Sequence, residues 1–512
     1  MNRKLIGIDI GTQGTKAALF GEDGRCLSVA FAASNLRMAA GGLVEEDPEK
    51  QYESVLATIG ECVRKSGTTP ADIVGLAIAG QMAGIIGVGA DGRHITPYDS
   101  WLDTRCTPFI ARMKEIAGHK VLAKTGCAPS FNHGPKILWW RHEHPEIYHK
   151  VHAFVQPAGY AAMRLCGLAG AGAFIDKTYL HFSGFADIDK AQWDQGLCRL
   201  FDISSEKLPR IVDSATLVGT VDNAGAAACG LRPGTPVAAG CGDSSASFLA
   251  SGPLAQGVAV DIAGTASVFA ATTIAFRPDL KQQMLACSRS VVEGLWHSYG
   301  YINGGGMNVA WFRDKIAPGV PAERGVSFDE LNAAAEAVSP NEDAPIFIPH
   351  LSGRACPGQP DLRGGWIGVG WDHSPADMYR AVLEGVALEY GLYQKSINKL
   401  NPHLDMREVR VMGGGEYSRV WNQIKADVLG VPVVQAARSE GAPLGAAIVA
   451  GVATGVLEGY EAAGRWVAPG VVTHPRPEFF AYYQRRLCRY EAMLEALNAA
   501  LEKDTEGLTY AE

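Results

Sequence analysis

Twice in this chain a short apolar run ends in an aspartate followed by a glycine- and threonine-rich turn: LIGIDIGTQGTK at residues 5–16 and VAVDIAGTASVF at residues 258–269. The two lie about half a chain apart, which points to two related halves that each carry a phosphate-gripping turn. A strand delivers the backbone to a fixed point, glycines remove side-chain bulk, and successive N–H groups then face phosphate oxygens. Thr12, Thr15 and Thr265 add hydroxyl donors. Asp9 and Asp261 place carboxylates where a magnesium ion on a nucleotide would be held through water. One such turn alone usually only reverses the chain; a facing pair clamps a nucleotide between two domains. Neither segment fits G-x-x-x-x-G-K-[ST] or G-x-G-x-x-G, and a strand, KAALF, follows the first turn where a P-loop requires a helix.

The chain has 512 residues, enough for two or more domains. An apolar share of 47%, 20% charged residues and 60 glycines fit a glycine-rich α/β enzyme. The net charge of −8 and the lack of a basic block argue against nucleic acid as a partner. Eleven scattered cysteines without a C-x-x-C pair match a reducing, cytoplasmic setting. The apolar N-terminal stretch is interrupted by Asp9 and is no signal peptide. Residues 73–90 carry no charge, but Gln81 and five glycines break the run, so buried strands are expected there and no membrane span.

The first 35 residues read as a strand meander with an Asp-Gly turn. Asp47, Pro48 and the apolar face Tyr52, Val55, Leu56, Ile59, Cys62 and Val63 predict a helix ended by Gly67. IVGLAIAG (73–80) predicts a buried strand, and residues 84–97 a hairpin. TPVAAGCGDSSAS (235–247) predicts a strand, a turn and a helix. Ser374, Pro375 and Asp377 form a capping box. Residues 407–434 read as strand, glycine turn, helix, strand, and roughly 475–503 as an amphipathic helix. The expected division is 1–248, 253–455 and a helical extension at 456–512.

Four further clusters carry chemistry. Asp243 follows a buried strand, where open parallel sheets face their ligands, and a carboxylate there can take a proton from a substrate hydroxyl during phosphoryl transfer; equally, it reads as the N-cap of the next helix. Gln81-Met82 sits at a strand end and by itself reads as a plain turn. Trp101, Asp103 and Arg105 combine an aromatic face with polar groups suited to a sugar, or form a half-buried Trp beside a salt bridge. Gly413-Gly414-Gly415 lets a flat adenine or ribose approach the backbone, with Ser418 and Asn422 in reach. No His/Cys metal spacing is present.

Together these segments resemble the FGGY family of carbohydrate kinases, in the superfamily that also holds actin and the heat-shock chaperone ATPases, with the xylulokinase-like branch nearest. DIGTQGTK, GQMAG, SWLDTR, PKILWWRHEHPE, GCGDSSA, DIAGTASVF, LSGRACPGQPDLRGGWIGV, RAVLEGVALEY and MGGGEYSRVWNQIKADVLGVPV carry the resemblance in order over nearly the whole chain. It implies two actin-like (ribonuclease H-like) α/β domains flanking a deep cleft. It further implies ATP- and Mg2+-dependent phosphorylation of a small sugar or polyol such as D-xylulose, in the cytoplasm, by a protein that forms a homodimer. Asp243 is then the base. Asp9, Thr12, Gln13, Thr15 and Lys16 serve phosphate and magnesium, Gly264 and Thr265 form the second turn, and Gly306, Gly414, Ser418 and Asn422 contact nucleotide. Gln81, Met82, Ala83, Trp101, Asp103 and Ser244 face the sugar. Ala83 and Ser244 stand where the branch has histidine and asparagine, and Pro157-Ala158-Gly159-Tyr160 stands for its P-K-D-Y, so the sugar does not follow from the branch. A nucleotide-driven switch and a sugar-sensing regulator are the competing classes.

Overall fold

The computed structural model describes residues 3–317, 325–437 and 440–507. The first half builds a six-stranded sheet from β1 (Lys4–Ile10), β2 (Gly14–Gly21), β3 (Cys26–Ala33), β4 (Ile73–Gly80), β5 (Leu217–Thr220) and β6 (Pro236–Gly242), in the order β5-β6-β4-β1-β2-β3. β1, β4 and β6 run parallel, while β1-β2-β3 is the expected antiparallel meander. The second half repeats this plan with β7 (Val258–Ala263), β8 (Ser267–Thr273), β9 (Ala286–Arg289), β10 (Trp296–Ile302), β11 (Glu408–Met412), β12 (Val433–Ala436) and β13 (Pro469–Thr473), ordered β9-β10-β8-β7-β11-β12-β13. Again a meander leads into parallel neighbours β7, β11 and β12. The halves are two actin-like domains, as the family resemblance implied.

Local chemistry sets the helices. Asp47 accepts the Glu49 N–H at 2.9 Å at the start of α1 (Pro48–Ser66), and Gly67 closes it in the left-handed region at φ 63°. Three further helices frame the site and its support: α2 (Pro157–Leu165), α3 (Asp243–Ala250) and α4 (Pro375–Leu400). Ser374 and Asp377 form the predicted capping box of α4. After it come α5 (Arg419–Leu429), α6 (Ala442–Ala453) and α7 (Pro477–Gly507). Residues 84–97 do turn back, bridging Val88 to His94, but the strand Ile86–Val88 takes its ladder partner from Ala153–Val155. A local hairpin pattern carries no sign of that distant partner.

The layers alternate. α1 and α2 cover one face of the first sheet, α3 and α6 lie between the two sheets, and α4 and α5 cover the outer face of the second. Leu5, Ile6, Ile8, Leu76 and Ile78 are wholly buried, as parallel strands covered on both faces must be. α6, placed by sequence in the second half, packs on α3 and on β1 and β4 of the first. Residues 469–473 of the expected helical extension form the edge strand β13. α7 docks on α4 through Arg486, which pairs with Glu384 at 3.0 Å, and Tyr490, whose hydroxyl donates to Glu389 at 2.6 Å. Among the described residues no helix is long and apolar enough to cross a membrane.

Two glycines let the central helices approach. A Cβ on Gly7 of β1 would lie 1.8 Å from the Pro443 carbonyl oxygen, and one on Gly445 of α6 would lie 1.9 Å from the Ala246 carbonyl oxygen of α3. Neither neighbour is a side chain that can swing aside. Gly445→Ala is therefore expected to destabilise the protein by about 1–3 kcal/mol through overpacking, read as a lowered Tm in thermal denaturation. A wild-type Tm in that variant would show that the helix crossing is not tight.

Candidate active site

Register brings the predicted residues to one edge. Ile10, Gly80 and Gly242 are neighbours at the carboxyl ends of β1, β4 and β6. Gly11-Thr12, Gln81-Met82-Ala83 and Asp243-Ser244 therefore emerge side by side, in the crevice where parallel sheets hold ligands. In the second half Ile262 pairs with Met412, so the turns after them also meet. The Gly306 N–H donates to the Gly264 carbonyl and the Met307 N–H to the Thr265 carbonyl, both at 3.0 Å. A Cβ on Gly413 would lie 2.9 Å from the Ala263 carbonyl oxygen, whereas one on Gly414 would meet nothing within 4 Å. Gly264, Thr265, Gly306 and Gly414 thus share one glycine-lined surface, with Gly414 open to a ligand.

Asp243 is the first residue of α3, capped by Gly242. The strand runs straight into the helix with no turn between, and Asp243 is not the N-cap. Just before it, β6 shifts register between Ala238 and Cys241, with Gly240 at φ 75°; such a bulge re-aims the residues beyond it. The Ser244 N–H donates to Asp243 Oδ1 at 2.6 Å and the Ser244 hydroxyl at 3.2 Å. Burial pushes the Asp243 carboxyl up to about 6, with the Ser244 donors pulling against it. Asp9 is pushed well above the usual carboxylate range, first by burial and next by the charge of Asp243, with Lys16 opposing. Its Oδ1 is buried with no hydrogen-bond partner. Two mutually repelling carboxylates and an orphaned oxygen fit a divalent cation that arrives on nucleotide phosphates with its own waters. Among the described residues no cluster of three or more His, Cys, Asp or Glu side chains is placed to hold a metal.

On the acceptor side, the Trp101 indole N–H donates to Thr12 Oγ1 at 2.9 Å, and the Thr12 and Tyr98 hydroxyls donate to Gln81 Oε1 at 3.5 and 3.2 Å. Trp101, Thr12 and Gln81 thus form one hydrogen-bonded chain across the first glycine turn and the end of β4. The buried Gln81 Nε2 has no partner. Met82 lies over the end of β6, where a Cβ on Gly242 would meet its sulfur at 2.6 Å. Ala83 is half-buried beside it. Besides Tyr98, sequence reasoning missed two groups here. His133 Nε2 donates to the Met82 carbonyl at 2.6 Å, and burial lowers its pKa to about 4, so it is neutral. The Tyr179 hydroxyl ties the ends of β4 and β6 through the Gly80 and Cys241 carbonyls. Both act over long sequence separations and leave no local signal.

Other predicted residues are placed elsewhere or are already committed. Asp103 is buried, accepting the Val44 N–H at 2.8 Å and the Arg105 Nε–H at 2.9 Å. Arg105 also pairs with Glu45 at 2.8 Å and Asp99 at 3.0 Å, so this acid and guanidinium brace the loop under Trp101. Thr15 pairs with Ile10 and Lys16 with Asp9. Neighbouring pairs point to opposite faces, and Thr15 Oγ1 lies 2.6 Å from Ser54 Oγ of α1, away from Asp9. Lys16 reaches across to the Glu440 carbonyl at 3.1 Å, and the exposed Gln13 gives its carbonyl to the Ser34 N–H. Ser418 caps α5 and donates to Asn332 Oδ1 at 3.1 Å. Asn422 donates to the Glu416 carbonyl at 2.8 Å, leaving its Oδ1 without a partner.

The expectation for Asp261 is corrected. It is fully buried, paired with Lys425 at 2.5 Å and accepting the Tyr390 hydroxyl at 2.8 Å, inside the second domain. The cause is strand parity. Asp9 stands two residues before Gly11, but Asp261 stands three before Gly264, and one residue of offset turns a side chain to the other face.

A family model described as the FGGY family of carbohydrate kinases, N-terminal domain, matches residues 4–250, and its C-terminal counterpart matches residues 259–454. The chain is 26% identical to a xylulose kinase of Bacillus subtilis (strain 168), covering 97% of this chain and 98% of that protein. It is 27% identical to a gluconokinase of the same organism, covering 90% of each. Among solved structures, a xylulose kinase from Rhodospirillum rubrum superposes with a TM-score of 0.87 at 25% identity, covering 98% of this chain and 100% of that one.

The raised Asp243 pKa has a kinetic consequence. If Asp243 is the base it must be deprotonated to act, so kcat/KM is expected to fall as pH drops through about 6, where burial has moved the Asp243 carboxyl. A pH–rate profile checks it; a flat profile down to pH values well below that point would exclude Asp243 as the titrating base.

Proposed function

The chain belongs to the FGGY family of carbohydrate kinases, and we propose that it transfers the γ-phosphoryl group of ATP to a hydroxyl of a neutral ketose or polyol, with a ketopentose such as D-xylulose as the first candidate. The observation that carries this reading is Asp243 at the junction of three strand ends, close enough to Asp9 for its charge to raise the Asp9 carboxyl. Asp243 Oδ1 is held by Ser244, which leaves Oδ2 to take the acceptor proton and to set that oxygen in line. The Gly11 and Gly264 N–H groups are spent within their own turns, on the Gly14 and Ile262 carbonyls, so the backbone amides of Thr12 and Thr265 receive the phosphates, and Gly414 gives the base or ribose close access. A magnesium ion, held by Asp9 through water, would neutralise charge on the phosphates. Closure of the two domains excludes water, the competing acceptor.

Xylulose kinase and gluconokinase relatives stand at similar identity, and the electrostatics favour the neutral sugar. Arg105 is spent on three carboxylates, Lys136 donates to the Ser100 and Asp103 carbonyls at 2.9 Å each, and His133 is neutral. An aldonate would bring a third carboxylate beside Asp9 and Asp243 without one of these cations to meet it. Sugar-dependent ADP release over a panel of pentuloses, hexuloses, polyols and D-gluconate is expected to favour a neutral acceptor. Gluconate as the preferred substrate would reject that choice, and ADP release that ignores every sugar would point to a nucleotide switch. Asp243→Asn is expected to lower sugar phosphorylation by about 10²–10⁴-fold with ATP binding retained; wild-type turnover in that variant would remove Asp243 as the base.

A further inference from the structure

Behind the first phosphate turn, on the face opposite Asp9, lies a recess of about 140 Å³ lined by Gly11, Gly14, Thr15, Ser34, Glu46, Gln51 and Ser54 among others, with the exposed Asn35 and Lys50 at its rim. Its Ser34 and Ser54 hydroxyl protons, and one of the two Gln51 amide protons, are already placed elsewhere. Ser34 donates to the Thr12 carbonyl at 2.8 Å, and Ser54 donates to the Gln51 carbonyl at 2.7 Å. A hydroxyl carries one proton, so in the 2.6 Å contact between Thr15 and Ser54 it is Thr15 that donates. The Gln51 amide donates to Glu46 Oε2 at 2.7 Å, which fixes the amide and leaves its Oε1 buried without a partner. Glu46 is buried and accepts the Asn35 N–H at 2.9 Å. At the rim, Lys50 is held by Glu53 at 2.7 Å.

The walls therefore offer lone pairs almost exclusively: one carboxylate, one amide oxygen and three hydroxyl oxygens. Water or a neutral ligand can donate hydrogen bonds to these oxygens but brings no positive charge to the buried Glu46 carboxylate, whose donors, the Asn35 N–H and the Gln51 amide, are both neutral. We propose that this recess binds a monovalent cation of the potassium or sodium class, partly hydrated. Hard cations take carboxylate, amide and hydroxyl oxygens with retained water, and divalent sites gather more than one carboxylate. A single buried carboxylate among neutral oxygens balances one positive charge. The space suits an ion with a few waters. Because Ser34 and Thr15 join the recess to the backbone of residues 11–15, the ion braces the phosphate turn from behind.

The test needs no turnover, so its failure is distinct from failure of the kinase reading. Protein exchanged into choline chloride is titrated with KCl, NaCl or NH4Cl at constant ionic strength while Tm is followed, which removes general screening. Crystals soaked in RbCl are examined for anomalous density in the recess. A saturable Tm rise with potassium or sodium and a rubidium peak between Glu46 and Gln51 are expected. Gln51→Leu and Glu46→Gln are expected to weaken the apparent ion affinity by about 10-fold or more. No response beyond choline in the wild-type protein, or no rubidium peak in the recess, would overturn the proposal. So would an unchanged response in both variants, or calcium or magnesium acting at lower concentration than any monovalent ion.

Discussion

The crossing of α3 and α6 between the two sheets is the constraint on which the rest depends. Backbone meets backbone at Gly445 and Ala246, and again at Gly7 and Pro443. α3 begins at Asp243, and β1, which α6 presses on, ends beside Asp9. The same packing that joins the domains therefore sets the spacing of the two carboxylates. The joint is apolar: Leu5, Phe20, Phe248, Leu249, Leu444 and Ile448 from the first domain and the crossing helices share one cluster with Val260 and Met412 of the second. Apolar packing is non-directional, so the glycines supply the direction, admitting one crossing where a side chain would hold the helices apart.

The second constraint is charge. Most buried ions here are answered in place: Asp261 by Lys425 and Tyr390, Glu389 by Arg354 and Tyr490, Glu384 by Arg380 and Arg486. Asp9 and Asp243 are not, and burial drives both upward. Lys16 is the cation that opposes this for Asp9, and it is tied to the Glu440 carbonyl across the cleft. Unanswered charge is costly in a folded protein and persists where a ligand supplies the answer, which is why the proposed reaction centre rests on this pair more than on either turn.

Whatever is set locally is legible in the sequence. Asp47, Pro48 and Gly67 bracket α1, and Ser374 with Asp377 opens α4, because capping is decided within a few residues. The strand ends and their glycine turns are likewise visible, since alternation and glycine placement are local. Side-chain facing is not. Analogy with Asp9 puts Asp261 at the phosphates, yet one extra residue before Gly264 turns it inward; counting back from the glycine finds this. Thr15 fails for the same reason, one step away from Lys16 in the pleat. His133, Tyr98 and Tyr179 reach the site from 17 to 99 residues away, and no pattern in their own segments announces it.

These long-range contacts bear on the missing histidine of the Gln81-Met82-Ala83-Gly84 turn. An imidazole is close by, but His133 approaches from behind, with its Nε2 proton on the Met82 carbonyl and its charge suppressed by burial. It fixes the turn's backbone and cannot also address a sugar hydroxyl with that nitrogen. On the proposed kinase reading, discrimination falls to groups with unspent hydrogen bonds: the Gln81 amide nitrogen, which has no partner, and the second oxygen of Asp243. Gln81 also accepts from Thr12, which accepts from Trp101. A sugar hydroxyl that engages the Gln81 amide therefore acts on a residue already bonded to the phosphate turn. Recognition and phosphate geometry share one hydrogen-bonded chain, and a buried donor left empty by the wrong sugar carries a penalty of the kind that separates substrates by large factors.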